Sequence, residues 1–323
     1  MRGGSGPKKI TFKDFADEYF EAWKDKCKPS TAKTERTRID GVLKAYFGNW
    51  QIHTISRKEI ETFLRKRRDG SLVGIVAKGS NYERKANVTQ ATVNLDLCRL
   101  KNMFKYAVNW GYLKENPASG IKQTKEKIEP ADYLDVDEVR LFLDSAEPVY
   151  RPIFVTAVYT GLRFGEIMRL AWCDVLWDFN RISVRDPKNS EDRYVPMHEA
   201  VKEVLEGMIP KGTLKEDLKE SDLILFANPR TGRPFVDVRH AMRRALKKAG
   251  IDRAVRFHDL RHTTGSHLAM SGATEREIAE VLGHKNTIVT RRYSHLSPHH
   301  THSVVSRLDF SKKKQKGTQK AGV

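Results

Sequence analysis

The stretch LGHKNTIVTRRYSH, residues 282–295, holds side chains well suited to chemistry. Tyr293 follows Arg291 and Arg292 directly and comes nine residues after His284. A phenol has a pKa of about 10 in water, so a tyrosine that acts as a nucleophile needs cations and a base close by. A tyrosine that only packs in a core needs one hydrogen-bond partner and apolar neighbours. The segment therefore indicates either a reactive phenol or a buried one.

Three other short segments carry residues of related chemistry. The segment TGLRFGEI places Arg163 between two glycines, at a predicted turn into a helix. Lys188 lies on the polar turn of a predicted β-hairpin. The segment HDLRH places His258 and Arg261 three positions apart, which puts them on neighbouring positions of one helical turn. With the histidine and tyrosine above, the set contains two arginines, two histidines, a lysine and a tyrosine.

This set of side chains suits attack on a phosphodiester. The reaction puts negative charge on the non-bridging oxygens, and arginine pairs bind such oxygens with planar, bidentate geometry. Histidine and lysine can move the protons of the nucleophile and of the leaving alkoxide once their pKa values are shifted. A tyrosine nucleophile stores the phosphate as an ester, so the strand can be rejoined without ATP. Because several cations already neutralise the phosphate, we predict no metal and no other cofactor.

Other interpretations of the same residues remain open. Tyr293 could be an ordinary core or surface tyrosine, and Arg163 could serve only as a salt-bridge partner of Glu166. Lys188 could be a solvated turn residue. The HDLRH segment resembles a degenerate HExxH zinc motif, but it lacks the glutamate and would place an arginine beside the metal. His262 is predicted to be a packing histidine or one that supports the site residues.

Charge gives the strongest indication from composition. The 323 residues include 59 Lys and Arg against 41 Asp and Glu, for a net charge of +18 and a pI near 9.7. A field of this sign favours a polyanionic partner, nucleic acid first, over a ribosomal-type or membrane-surface role. No apolar run of about 18 residues is present, so no membrane span is expected. Three widely spaced cysteines without a CxxC motif indicate reduced thiols in the cytoplasm.

Hydrophobic spacing divides the chain into segments. We expect a flexible leader at 1–9, a helical unit at 10–121, a charged linker at 122–132, a second unit at 133–310 and a basic tail at 311–323. In the first unit, apolar stripes at 39–47 and 93–108 follow helical spacing. Ser56 with Glu59, and Asp135 with Glu138, predict capping boxes that begin helices.

The second unit is predicted to combine helices with one hairpin. Alternation predicts strands near Arg181–Arg185 and Arg193–Met197, with helical patterns on both sides. A helix from about Asp237 carries four basic residues that could face phosphate or solvent: Arg243, Arg244, Lys247 and Lys248.

The motifs together resemble those of the tyrosine recombinases, the phage integrase family of Xer-like and Cre-like site-specific recombinases. The matching stretches are TGLRFGEIMRLAW, a lysine on a turn before RYVPM, HDLRHTTGSHLAMSGA and LGHKNTIVTRRY, in that order. The resemblance implies a mainly α fold with a small antiparallel β-sheet in the catalytic domain. It also implies a two-domain DNA clamp, in which a helical SAM-like core-binding domain precedes the catalytic domain.

The resemblance further implies six catalytic residues: Arg163, Lys188, His258, Arg261, His284 and Tyr293. The arginines and His258 would bind and activate the scissile phosphate, with His258 accepting the proton of the tyrosine. His284 would hydrogen-bond the phosphate, and Lys188 would protonate the leaving 5′ oxygen. The tyrosine would attack to give a 3′-phosphotyrosyl link.

The function implied is site-specific recombination of double-stranded DNA through a Holliday junction. Four protomers would act on paired sites in the cytoplasm, and no membrane would be involved. Accessory DNA-bending or directionality proteins are possible further partners. Since about ten residues precede the first helix, we expect a simple Xer-like or small mobile-element enzyme. Two alternatives are a type IB topoisomerase and an inactive DNA-binding regulator of the same fold. A small apolar patch in the tail (Val304, Val305, Leu308) favours docking on a neighbouring protomer over the topoisomerase.

Overall fold

A computed structural model describes residues 9–72, 88–125, 132–185, 192–284 and 286–296. The chain divides into two compact units, Met1–Lys127 and Ile128–Val323. The predicted catalytic residue Lys188, the apolar patch of the tail and most of the predicted leader lie outside the described residues. None of the helices in the described ranges combines the length and apolarity that crossing a bilayer requires.

The first unit is built from helices. They are α1 (Phe12–Lys24), α2 (Pro29–Arg38), α3 (Lys44–Phe47), α4 (Arg57–Arg68) and α5 (Gln90–Asn109), with a π-helical segment at Ile39–Leu43 and a 3-10 turn at Ile52–Thr54. The two predicted stripes are confirmed, since both lie in helical segments and supply buried residues: Ile39, Val42, Leu43, Phe47, Val93, Leu97, Leu100, Phe104 and Ala107. The π-helical geometry was not predicted, because the apolar spacing only indicated a helix.

Both predicted capping boxes are present. The backbone N–H of Ser56 donates to the carboxylate of Glu59 at 3.0 Å, at the start of α4. Asp135 and Glu138 cap each other reciprocally, with N–H···O distances of 2.9 and 2.8 Å. These bonds satisfy backbone donors that the first helical turn leaves unpaired. Two helix starts were therefore located correctly from short polar patterns.

The second unit is mainly helical. Its α-helices are α6 (Val136–Ser145), α7 (Arg151–Thr160), α8 (Phe164–Ile167), α9 (Glu199–Glu206), α10 (Lys215–Leu218), α11 (Arg239–Lys248), α12 (Phe257–Met270) and α13 (Glu275–Leu282). Three 3-10 segments lie at Trp172–Asp174, Trp177–Phe179 and Thr287–Leu296. Phe142, Phe154 and Leu260, on three of these helices, are fully buried in one apolar core.

A small antiparallel sheet completes the second unit. Its strands are β1 (Val175–Leu176), β2 (Arg181–Val184) and β3 (Arg193–Pro196), in the order β1-β2-β3. The predicted hairpin is confirmed, with Ile182 paired to Val195 and Val184 paired to Arg193. The alternation buries the valines and the isoleucine and leaves Arg193 only partly exposed, where it reaches the candidate site. The fold is therefore mainly α with a small antiparallel sheet, as predicted.

Candidate active site

Helix α12 carries three of the side chains that meet at the candidate site. Arg261 is 2% exposed, and its Nη1 donates to the carbonyl oxygen of Gly161 at 2.7 Å. Its Nη2 is buried and has no hydrogen-bond partner among the described residues. His258 is exposed one turn earlier, and its ring lies edge-on to the ring of His262 at 4.8 Å between centroids. The helix thus carries a buried guanidinium that has an unpaired N–H donor, with one histidine before it and one after it in the sequence.

The carboxylate of Glu166 lies between two other guanidinium groups. It accepts hydrogen bonds from the backbone N and Nη1 of Arg163 at 2.9 and 2.8 Å, and from Nη1 and Nη2 of Arg193 at 3.2 and 2.8 Å. Burial alone would raise the pKa of Glu166, but the bonds from Arg193 and from the Arg163 backbone lower it to about 2. The ion pair considered for Arg163 is present, and the Arg163 side chain is still 46% exposed.

His284 follows α13 through a turn that only glycine fits well. Gly283 ends the helix with φ +65°, and a Cβ there would lie 2.5 Å from Nε of Arg193. The His284 backbone N–H donates to the carbonyl of Ala279 at 2.8 Å, and Nδ1 lies 3.0 Å from Oγ1 of Thr290. Burial, followed by the charge of Arg261, lowers the pKa of His284 to about 4. The imidazole is therefore neutral at neutral pH.

Tyr293 is 1% exposed and lies on the 3-10 segment Thr287–Leu296. Its ring packs with Ile278 and Leu282 of α13 and Ala269 of α12. Burial raises the pKa of the Tyr293 phenol, although the charges of Arg292 and Arg261 act to lower it. The sequence left two alternatives, a buried tyrosine and a tyrosine beside cations. Tyr293 is both, since it is buried and the charges of Arg292 and Arg261 act on it.

The phenol oxygen has one hydrogen-bond partner among the described residues. Oη of Tyr293 lies 2.7 Å from Nδ1 of His262, and Nε2 of the same histidine lies 3.1 Å from Nη1 of Arg292. His258, which the resemblance proposes as the proton acceptor, makes no hydrogen bond to Tyr293 in these ranges. The pKa of His258 is lowered by its desolvation and by the charge of Arg261.

The positive groups also influence one another. Burial, and then the charge of Arg163, lowers the pKa of Arg261 to about 10. The charges of Arg261 and Arg163 act on both His258 and His284. Such mutual repulsion among fixed positive groups is typical of a site built to receive negative charge.

These contacts and mutual charge effects indicate that five of the six predicted residues lie close together. The sixth, Lys188, lies outside the described residues. Other residues of the site received little or no attention from sequence reasoning. Arg193 and Thr290 carried no signal in the sequence, because their roles depend on contacts across the fold. Glu166 was considered only as a salt-bridge partner, and His262 only as a supporting residue. No group of three metal-ligating side chains occurs among the described residues.

Comparison with known families gives two matches. The profile described as the phage integrase family matches residues 132–300. A second profile, described as the phage integrase N-terminal SAM-like domain, matches residues 11–66. The first range contains all six predicted catalytic residues.

Curated relatives match over most of the chain. A tyrosine recombinase of Thermosipho africanus is 26% identical, over 84% of this chain and 95% of that protein. Tyrosine recombinase XerC of Bacillus pumilus is 30% identical, over 67% of this chain and 73% of that protein.

A solved structure shows the same fold. The crystal structure of a lambda integrase tetramer bound to a Holliday junction superposes with a TM-score of 0.65 at 21% identity, covering 86% of this chain and 78% of that one. At this level of identity the likeness concerns the fold.

Proposed function

The chain belongs to the phage integrase family of tyrosine recombinases, and on that premise we propose that Tyr293 is the nucleophile that cleaves DNA. The enzyme is a site-specific recombinase that breaks and rejoins DNA strands. The phenolate oxygen forms a bond to the scissile phosphorus as the bond from phosphorus to the 5′ oxygen breaks. The products are a 3′-phosphotyrosyl ester and a 5′-hydroxyl. A second 5′-hydroxyl reverses the step, so no ATP is consumed.

The observation that carries this proposal is the free donor of Arg261. A buried N–H group without an acceptor costs about 1–3 kcal/mol, which a bound anion would recover. Nη2 of Arg261 is such a group, and the partly exposed guanidinium of Arg163 supplies a second positive charge to the same region. Non-bridging phosphate oxygens carry the opposite charge and accept hydrogen bonds from guanidinium groups of this kind.

Two contacts hold phosphate-binding donors in place. Glu166 fixes the guanidinium of Arg163 through one ion pair, which leaves the rest of that side chain for the phosphate. His284 is neutral, and when Oγ1 of Thr290 donates to its Nδ1, the opposite Nε2–H is a donor for a phosphate oxygen. Both contacts position donors before the phosphate arrives, which is how a preorganised site lowers a barrier.

Two proton transfers complete the reaction. We assign the proton of the phenol to His258, which lies in the field of both arginines and has a lowered pKa. We assign protonation of the leaving 5′ oxygen to Lys188, by the resemblance of its position before RYVPM. The reaction as proposed uses no metal and no cofactor.

The partner of the site is double-stranded DNA. The net charge of +18 supports this, as does the fold shared with an integrase solved as a tetramer on a Holliday junction. We propose that residues 10–121 bind the core site, that residues 133–310 cut it, and that four protomers exchange strands between paired sites in the cytoplasm. Accessory DNA-bending or directionality proteins would act on the complex of four protomers with DNA. The family membership does not favour a topoisomerase or an inactive regulator.

The test is capture of the covalent intermediate. Sequencing DNA trapped on the protein identifies the target site, and a copy of that site nicked beside the scissile phosphate then accumulates the adduct. Tyr293→Phe should abolish the adduct and leave DNA binding intact, because only the nucleophilic oxygen is lost. Tyr194→Phe serves as the matched control, since the Tyr194 side chain is 56% exposed on β3. An adduct that survives in Tyr293→Phe would assign the nucleophile to another residue.

A further inference from the structure

His262 links the nucleophile to a guanidinium. Its imidazole is 8% exposed and contacts Oη of Tyr293 through Nδ1 at 2.7 Å and Nη1 of Arg292 through Nε2 at 3.1 Å. The proposed reaction assigns no role to either His262 or Arg292. Both ring nitrogens nevertheless make hydrogen bonds in a buried environment. Nδ1 contacts the phenol oxygen that is proposed to react, and Nε2 contacts the guanidinium of Arg292.

The partners determine where the proton of this imidazole lies. Arginine only donates hydrogen bonds, so Nε2 of His262 must carry its lone pair toward Arg292. Burial, then the charges of His258 and Arg292, lower the pKa of His262 to about 4, so the ring is neutral near pH 7. A neutral imidazole has one N–H, which must then be on Nδ1. The hydrogen bond to the nucleophile therefore runs from Nδ1–H of His262 to Oη of Tyr293.

This direction excludes one role and favours another. An imidazole that donates to the phenol oxygen cannot accept the proton of that phenol through the same nitrogen. A hydrogen bond donated to an oxygen stabilises its anion, and a guanidinium on the far nitrogen strengthens the donor. Because burial raises the pKa of Tyr293, the phenolate needs such a donor when it forms.

Resting on the proposed function, we propose that His262 is a positioning residue for the nucleophile, which donates Nδ1–H to the Tyr293 phenolate while Arg292 fixes its tautomer. His258 remains the acceptor of the phenol proton. The charged and titratable groups that act on His262 or contact it are His258, Arg292, Asp259, Arg256, His284 and Tyr293. Of these, only Asp259 has a carboxylate, and it already accepts three hydrogen bonds from Arg256.

The backbone of α12 supports the same placement. A Cβ at Gly265 would lie 2.6 Å from Cζ of Tyr293, so the phenol ring rests directly on the helix one turn after His262. The ring is thus held by the helix surface, and the phenol oxygen is held by the imidazole. Together these contacts fix both the position of the nucleophile and the direction of its hydrogen bond.

Three substitutions separate the two contacts of the imidazole. His262→Asn keeps an amide donor near the Nδ1 position, His262→Gln keeps a polar group near the Nε2 position, and His262→Leu removes both. On the nicked target site near pH 7, we expect His262→Leu to form the adduct about 10- to 100-fold more slowly, as for the removal of one charge-assisted hydrogen bond. His262→Asn should be clearly faster than His262→Gln, because the donor to the phenolate is the contact that matters.

The pH profile and the leaving group identify the step affected. The rate of His262→Leu should recover as pH rises, with its profile displaced upward by about one to two units, since each tenfold loss corresponds to one pKa unit. A target site with sulfur in place of the bridging 5′ oxygen needs no proton on its leaving group. That site should rescue Lys188→Ala and leave the defect of His262→Leu unchanged.

Each contrary result overturns the inference. It fails if His262→Leu keeps the pH profile of the unsubstituted enzyme, if sulfur substitution restores its rate, or if the rate increases. If His262→Leu does not fold, judged by circular dichroism and DNA binding, the comparison of Asn with Gln decides, and Gln equal to or faster than Asn overturns the inference. Absence of the adduct in the unsubstituted enzyme would instead refute the proposed function.

Discussion

At the scale of single residues, the site depends on one carboxylate held among positive charges. Glu166 binds Arg163, at the start of α8, and Arg193 from β3, and its pKa of about 2 keeps it ionised near neutral pH. Its stabilising contribution is present above the ordinary glutamate pKa near 4.5 and is lost only as the pH falls toward 2. The activity should therefore not titrate with this group.

Glu166→Gln tests this arrangement. The substitution removes the charge between the two guanidinium groups, so Arg163 should be less well fixed for the phosphate. We expect adduct formation to slow by about 10- to 100-fold, as for a loss of about 1.5–3 kcal/mol, with DNA binding little changed. Glu147→Gln is the matched control, because its salt bridge to Arg244 is exposed on both sides. Equal rates in the two variants would contradict the role given to Glu166.

The types of most site residues could be predicted from the sequence, but their contacts could not. Arg163, Arg261 and Tyr293 could be proposed from the sequence because arginine pairs and a tyrosine beside cations suggest phosphoryl chemistry. The role of His262 could not be found in this way, because its tautomer depends on Arg292, which comes 30 residues later and meets it only in the folded chain. Arg193 was missed for the same reason.

At the scale of elements, periodicity and caps predicted the helices and the hairpin that carry the site. The spacing of apolar residues located the helical stripes of the first unit, and the alternation around 179–197 located β2 and β3. Strand β1 was missed because two residues, Val175 and Leu176, are too few to show alternation. The turn at Gly283 was visible as a Gly-His pair, but the close approach of Arg193 to it was not.

Gly283→Ala tests the turn between α13 and His284. Alanine at φ +65° costs about 1–2 kcal/mol, and its Cβ would also displace the guanidinium of Arg193. We expect a lower free energy of unfolding in urea and slower adduct formation. Gly212→Ala is the matched control, since Gly212 has φ +84° and a Cβ added there would meet no atom within 4 Å. The control should lose stability alone, and unchanged adduct formation in Gly283→Ala would contradict the link between this turn and the site.

At the scale of the whole molecule, positive charge should set the affinity for DNA. Helix α11 exposes Arg243 and Lys247 along a groove, and neither forms a salt bridge among the described residues. Arg244 on the same helix pairs with Glu147 at 2.7 Å. Composition predicted a polyanionic partner, but it could not distinguish cations that are free for phosphate from those already paired.

The combined substitution Arg243→Gln and Lys247→Gln tests this distinction. Removing one cation that binds a phosphate should reduce the slope of log affinity against log salt by about 0.9, so we expect a decrease of about 1 to 2. Titrations at several salt concentrations measure it. The control is Lys215→Gln with Lys219→Gln, because both lysines already pair with acids, Glu206 and Asp178. A slope that is the same in the two double variants would exclude α11 from the DNA-binding surface.

The order of the site along the chain has a consequence during synthesis. Arg163 is made first, Arg261 about a hundred residues later, and Tyr293 after both. A partly synthesised chain therefore contains the arginines of the proposed site before it contains the proposed nucleophile. The proposed cleavage can begin only after the 3-10 segment Thr287–Leu296 has been made and Tyr293 has packed against α12 and α13.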